Sequence, residues 1–288
     1  MEPNTLIIYH NKCRDGLCAA WLLLKVYPGS ELVGADYGDD PPDVEGREVF
    51  VVDFSYPRDV LLAMKRSASS LLVFDHHKSA AEQLAGLDFC IFDEAKSGAG
   101  LVLHWIREKG FGRGWLGVDW VVEYVQDRDL WLNREPHSAS INAYIRSFEL
   151  SIESFEAISN AGITEARSTG RRIQDYRLRI AREHLESSFR TFVDGYIVPV
   201  VYCSDPDLIS DVGAMLALDE AFSVCYMMKV GQVKYSLRSD ENGLDVSKIA
   251  EAFGGGGHAR AAGFKLKLDD PRNIVRISFD EAHANDSE

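Results

Sequence analysis

The stretch Leu71-Leu72-Val73-Phe74-Asp75-His76-His77 decides the reading of this chain. Four apolar residues form a buried-strand pattern, and the run ends in three side chains able to bind metals or move protons. In open α/β sheets, ligands bind beyond the carboxyl ends of the strands. The same layout occurs twice upstream. Leu6-Ile7-Ile8-Tyr9 runs into His10, with Asp15 five residues on, and Val49-Phe50-Val51-Val52 runs into Asp53. Three such junctions point to one common site.

Working outward, residues 1–150 alternate strand and helix patterns, the signature of a parallel sheet covered by helices. Strands are predicted at 5–10, 31–36, 48–54, 70–76 and 89–93, and helices at 16–27, 57–66, 98–109, 118–127 and 139–148. Residues 151–190 read as a helical linker. Arg171, Arg172, Arg177, Arg179 and Arg182 surround its apolar stripe, either as a solvated face or as a contact surface. Residues 191–288 read as a smaller α/β domain with strands at 196–203, 223–230, 233–239 and 262–268. Its helices are expected at 210–219 and 245–253, the latter capped by Asp245 or Ser247. The tail 285–288 is expected to fray.

With 288 residues, 46% of them hydrophobic and 26% charged, the chain has the make-up of a soluble globular protein. No apolar run reaches the ~20 residues of a membrane span, and the amino terminus lacks a signal-peptide pattern. Five cysteines without a C-x-x-C pair fit a cytoplasmic protein. A net charge of −14 argues against a broad basic face for long duplex nucleic acid. It leaves room for a short phosphate-bearing substrate and for divalent cations.

His10, Asp15, Asp53, Asp75, His76, His77 and Asp127 offer imidazole and carboxylate donors suited to Mn²⁺, Mg²⁺ or similar ions. Such a set also suits a two-metal phosphoester hydrolase, with Asp53 placed to bridge. In Gln126-Asp127-Arg128-Asp129, Asp127 is preferred as the ligand, with Asp129 paired to an arginine. Ser97-Gly98-Ala99-Gly100 either lines the site through backbone N–H groups or simply starts a helix. His104, His137, His184 and His283 have no partner pattern. The second signal is Gly254-Gly255-Gly256-Gly257-His258, followed by Ala261-Ala262-Gly263. Consecutive glycines can form an anion-binding nest, His258 adds a donor, and Arg238 on a nearby strand is a natural phosphate clamp.

Together these motifs resemble the DHH phosphoesterase superfamily, in the branch with a DHH-associated carboxy-terminal domain that includes RecJ-like exonucleases and nanoRNases. His10 to Gly16, Asp53, Asp75-His76-His77, Asp127 and Gly254–Gly263 occur in the family's order. The resemblance implies an N-terminal parallel-sheet domain, a connecting helix and a smaller α/β domain. It implies His10, Asp15, Asp53, His76 and Asp127 as metal ligands, His77 as the residue facing the scissile phosphate, and Asp75 as its orienting partner. Arg238, Gly255, Gly256, Gly257 and His258 would bind the far end of the substrate. The implied enzyme is a phosphodiesterase that uses one or two ions of Mn²⁺, with Mg²⁺ or Co²⁺ as alternatives. It would cleave short RNA or DNA oligonucleotides or linear dinucleotides to nucleoside monophosphates, as a cytoplasmic protein, with a homodimer as one assembly. The alternatives are a longer single-strand exonuclease, a cyclic-dinucleotide or nucleotide phosphatase, and a non-catalytic nucleotide-binding relative. One departure stands out. The family's first motif has two aspartates separated by one residue; with Asp15 as the first, Leu17 replaces the second, and with Asp15 as the second, which the Asp15-Gly16 pair favours, Cys13 stands where the first belongs. The vacant ligand position would then fall to the Cys13 thiolate, water or Asn11, unless Cys13 is merely a small buried residue.

Overall fold

In the computed structural model, which describes residues 4–275 apart from 133 and 207, the three apolar runs become adjacent strands. The expectations for His283 and for the tail lie outside the described residues. The first unit, Met1–Gln174, opens with β1 (Thr5–His10), α1 (Arg14–Val26), β2 (Glu31–Ala35), β3 (Glu48–Val52) and α2 (Arg58–Ser67). It continues through β4 (Ser70–Asp75), α3 (Lys78–Gln83), β5 (Cys90–Phe92), α4 (Gly98–Glu108), α5 (Val118–Asp129) and α6 (Ser138–Arg146). Its five strands run in the order β2-β1-β3-β4-β5, and every pairing is parallel.

The pleat explains the layering. Leu6, Ile8, Val49, Val51, Leu71 and Val73 pack on one face with Leu61 and Met64 of α2. Ile7, Phe50, Val52 and Phe74 pack on the other with α1, α4 and α5. Successive strand residues therefore face opposite helical layers, so both layers demand apolar side chains and the strands read as unbroken hydrophobic runs. The strand order reverses between β1 and β3, which makes their carboxyl ends the topological switch point where such sheets bind ligands.

The expected linker helix is α7 (Ile152–Leu185), interrupted at Gly162, whose φ of 81° is not helical. The second unit begins at Asp175. It contains β6 (Phe189–Val193), β7 (Tyr196–Tyr202), α8 (Ile209–Leu216), β8 (Ser223–Lys229), β9 (Gln232–Arg238), α9 (Val246–Ala252), β10 (Gly256–His258) and β11 (Ala261–Lys267). Its six-stranded sheet has the order β10-β11-β9-β8-β7-β6, antiparallel except at β7/β8. One face packs Val246, Ile249 and Ala250 of α9 against Val224, Tyr235 and Leu237. The other packs Ile209 and Val212 of α8 against Val201, Cys225 and Met227. Asp245 caps α9 by accepting from Ser247 N–H. Helix α3 and strands β6 and β10 were not expected from the sequence pattern. No helix among the described residues is long and apolar enough to cross a membrane.

Candidate active site at the carboxyl ends of the parallel strands

Strands β1, β3 and β4 are neighbours, so His10, Asp53 and the Asp75-His76-His77 run meet at one edge of the sheet. The Asp53 carboxylate is the hub. Its Oδ1 lies 3.2 Å from His76 Nε2, and its Oδ2 lies 3.5 Å from His10 Nδ1. Asp53 itself has a φ of 65°, left-handed backbone that a non-glycine residue adopts uncommonly and that clusters at functional sites. Asp15 is buried on the first turn of α1 and accepts from Ala99 N–H at 3.2 Å. The Ser97–Gly100 segment is thus both a helix start, with Ser97 Oγ accepting from Gly100 N–H, and a wall of the cluster. Two glycines permit the approach of α1 and α4. A methyl group on Gly16 would fall 2.8 Å from His10 O, and one on Gly98 would fall 2.7 Å from Asp53 Cβ.

Asp75 is fully buried and spends both carboxylate oxygens on its neighbours. Oδ2 accepts from Ser55 Oγ at 2.5 Å, and Oδ1 accepts from the His76 and His77 backbone N–H groups. Oδ1 also lies 2.7 Å from His77 Nδ1. A carboxylate at Nδ1 places the ring proton there and leaves Nε2 of a neutral His77 as an acceptor.

The structure does not bring Asp127 into the cluster. Its Oδ1 accepts from Arg134 and Glu135 N–H, and its Oδ2 is taken by Ser138 Oγ, so it staples the loop that leads into α6. Asp129 holds the place expected of Asp127, with Oδ2 3.4 Å from His76 Nε2. The expected arginine partner of Asp129 gives way to this imidazole. Residues two apart on a helix diverge by roughly 200°, so one of the two acids must turn away. Three further residues belong to the site and were missed: Asp36, 3.9 Å from His10 Nε2; Tyr37, whose hydroxyl lies 3.3 Å from His77 Nδ1; and Ser55. Asp36 had a legible signal, because it follows β2 just as Asp53 follows β3.

Three groups of ligand atoms lie within 4.8 Å of one another: His10, Cys13 and Asp53; Asp53, His76 and His77; and Asp15, His76 and Asp129. The electrostatics suit a bound cation. Burial, then the charges of Asp53 and Asp129, raise Asp15 well above the usual carboxylate range. Burial and Asp53 push Asp129 up to about 6. Burial alone would raise Asp53 too, but His10 and His76 outweigh it and hold Asp53 below that range. Hydrogen bonding to Asp53 raises His10 against the opposing effect of burial. Burial pulls His76 down, but Asp53, Asp129 and Asp75 leave it raised. Asp53 Oδ2 is buried and, beside His10 Nδ1 at 3.5 Å, lacks a hydrogen bond of good geometry, an arrangement normally costly unless another partner binds. These nitrogen and oxygen donors fit divalent cations of the Mn²⁺ or Mg²⁺ kind.

In the second unit the four glycines do not build a nest. Gly254 and Gly255 donate their N–H groups to Glu251 O and Ala250 O, closing α9, and Gly256–His258 then forms the exposed edge strand β10. Gly257 and Gly255 instead permit close contact with β11, since an added methyl would fall 2.5 Å from Ala262 Cα and 2.2 Å from Gly263 O, respectively. Register pairs His258 with Ala261 and Ala261 with Arg238, which places His258 and Arg238 on one face of the sheet. Arg238 donates to Leu237 O and Ser210 Oγ.

Comparison with known proteins agrees with this fold. Residues 201–281 match the DHHA1 domain family. The chain is 27% identical to oligoribonuclease NrnB of Bacillus subtilis (strain 168), over 67% of this chain and 52% of that protein. It spans between about half and two thirds of the length of the curated relatives that it matches. In fold it resembles the pGpG-specific phosphodiesterase PggH from Vibrio cholerae, with a TM-score of 0.52 at 15% identity over 92% of this chain and 94% of that one. It also resembles RecJ from Thermus thermophilus in complex with Mn²⁺, with a TM-score of 0.52 at 15% identity over 92% of this chain and 50% of that one.

Proposed function

We propose that the chain is a cation-dependent phosphodiesterase of the DHH phosphoesterase superfamily, a reading supported by its DHHA1 match and its likeness to NrnB. Its substrates are short oligonucleotides or linear dinucleotides, and its products are nucleoside monophosphates. The observation that carries this reading is the convergence of His10, Asp15, Asp53, His76 and Asp129 at the switch point of the parallel sheet. These residues would hold the cations, with Asp53 shared between positions. Bound divalent cations would supply Lewis-acid neutralisation of phosphate charge and acidify water. His77, held by Asp75 at Nδ1, would face the scissile phosphate with Nε2, which donates to a phosphate oxygen in the protonated ring. Tyr37 and Ser55 fix the positions of His77 and Asp75. Residues 1–150 would form the catalytic domain, and residues 191–288, with Arg238 and His258 on one face of their sheet, the substrate-binding domain.

The names of NrnB and PggH, an oligoribonuclease and a dinucleotide phosphodiesterase, support the short-substrate class. So does the net charge of −14, which disfavours long polyanions. The test is a length series of labelled RNA and DNA, from dinucleotide to long oligomer, with Mn²⁺, Mg²⁺ or Co²⁺. Turnover is expected to be fastest on the shortest substrates and to be lost in Asp53→Asn. A preference for long oligomers would refute the substrate class. Undiminished hydrolysis by Asp53→Asn would refute the site.

A further inference from the structure

The half-buried thiol at position 13 occupies the turn between β1 and α1, at the amino-terminal cap of α1. Its sulfur, a nitrogen of His10 and an oxygen of Asp53 lie within 4.8 Å of one another. Asp53 is buried, and its Oδ2 lies 3.5 Å from His10 Nδ1 without a hydrogen bond of good geometry, so the triad contains a buried carboxylate oxygen that a cation would satisfy. Asn11, the other side chain near this turn that could fill a ligand position, donates from its amide nitrogen to Asp36 Oδ2 at 3.2 Å and packs its Oδ1 over Gly34 of β2. The neighbouring triad of Asp15, His76 and Asp129 offers only nitrogen and oxygen donors.

Building on the phosphodiesterase reading, we infer that Cys13 is itself a cation ligand, so that His10, Cys13 and Asp53 form a mixed nitrogen, sulfur and oxygen site for a thiophilic divalent cation such as Zn²⁺ or Co²⁺. The Asp15, His76 and Asp129 position remains the one for Mn²⁺ or Mg²⁺. Soft thiolate donors favour late first-row ions, whereas carboxylate donors favour Mg²⁺ and Mn²⁺. The two positions therefore differ in kind, and the protein is built for an unlike pair of ions. On binding, the S–H bond of Cys13 breaks, the metal–sulfur bond forms, and the proton passes to solvent.

Titration of the full chain with Co²⁺ tests this by absorption spectroscopy. A bound thiolate produces a sulfur-to-cobalt charge-transfer band in the near ultraviolet. That band is expected in the wild type, lost in Cys13→Ser and Cys13→Asp, and kept in Cys90→Ser, the other half-buried thiol. Cys13→Asp should still bind cations, with its preference moved from Co²⁺ towards Mn²⁺. Without any substitution, Zn²⁺ should protect Cys13 but not Cys90 from alkylation, read peptide by peptide by mass spectrometry. Stoichiometric Co²⁺ binding without the band, or a band that survives in Cys13→Ser, would overturn the inference and leave the phosphodiesterase reading intact. Failure of Co²⁺, Zn²⁺ and Mn²⁺ to bind at all would overturn both.

Discussion

Gly98→Ala tests whether the acid cluster dictates how closely α4 approaches the sheet. In an ordinary helix this substitution stabilises, because glycine is about 1 kcal/mol worse than alanine. Here the new methyl would lie 2.7 Å from Asp53 Cβ, 2.8 Å from Asp15 Oδ2 and 2.9 Å from Asp53 Cα. Comfortable carbon contacts are about 3.5–4.0 Å, so something must move by more than half an ångström. Overpacking of this kind costs about 1–3 kcal/mol, and three simultaneous contacts place it near the upper end. The propensity gain is reduced at the first residue of a helix. The net expectation is a loss of about 1–2 kcal/mol, or a fall in Tm of roughly 2–8 °C for a unit of this size. The displaced groups are proposed ligands, so cation affinity should fall about 10–100-fold, as when support around a metal site is removed. Thermal melts and Mn²⁺ titration calorimetry read the two effects. Gly256→Ala, where an added methyl meets nothing within 4 Å, serves as the control. A Gly98→Ala protein at least as stable as wild type with undiminished Mn²⁺ affinity would refute the packing argument.

Asp127→Asn should destabilise the protein by about 1–3 kcal/mol in urea unfolding, because a buried acceptor of three hydrogen bonds is altered, while cation stoichiometry stays unchanged. Asp129→Asn should do the reverse: its charged form is disfavoured by burial, so stability holds or rises and cation binding weakens. If Asp127→Asn is the variant that loses the cation, the reassignment fails. Ser55→Ala, which strands the buried Asp75 Oδ2, is expected to cost about 1–3 kcal/mol by the same measurement; no change would mean that the oxygen finds another donor. The pH dependence has a definite sign. His10, His76, Asp15 and Asp129 are all raised in the cation-free fold. Stability from a raised group is complete below its unfolded value and is lost as pH climbs through its folded value, for Asp129 between 3.8 and about 6. Asp53, which is lowered, contributes oppositely, losing stability only at more acid pH. The cation-free protein should therefore melt lower at about pH 7.5 than at about pH 5, and Mn²⁺, which competes with those protons, should raise Tm more at the higher pH. A larger Mn²⁺ effect at the lower pH would contradict this.

The parallel sheet was legible because both of its faces are buried, and a strand buried twice leaves no polar alternation to confuse the reading. The meeting of His10, Asp53 and His76 followed from strand order alone. What failed to show depended on direction or on short range. Asp127 and Asp129 sit two residues apart on the same helix, and nothing in their chemistry says which faces the sheet. The stripe Val118, Val122, Val125 continues to position 129, whereas Asp127 shares its side with Tyr124, whose hydroxyl donates to Pro136 O in the loop that Asp127 staples. Helix α3 has only six residues, with no apolar stripe to betray it. Strand β6 carried an overlooked sign, the Asp194-Gly195 pair with φ of 46° and 89°, the dipeptide preferred in tight hairpin turns. The glycine tetrad misled for the opposite reason: its freedom serves a helix end and close strand packing.

The left-handed backbone at position 53 narrows what that codon can encode. Ligation asks for a carboxylate, which admits Asp and Glu. The dihedral asks for glycine or for a short side chain that tolerates positive φ, which admits Gly, Asn and Asp. The two sets share a single member, so a saturation library at this position should return one survivor under selection for hydrolysis, while the fold alone would accept three.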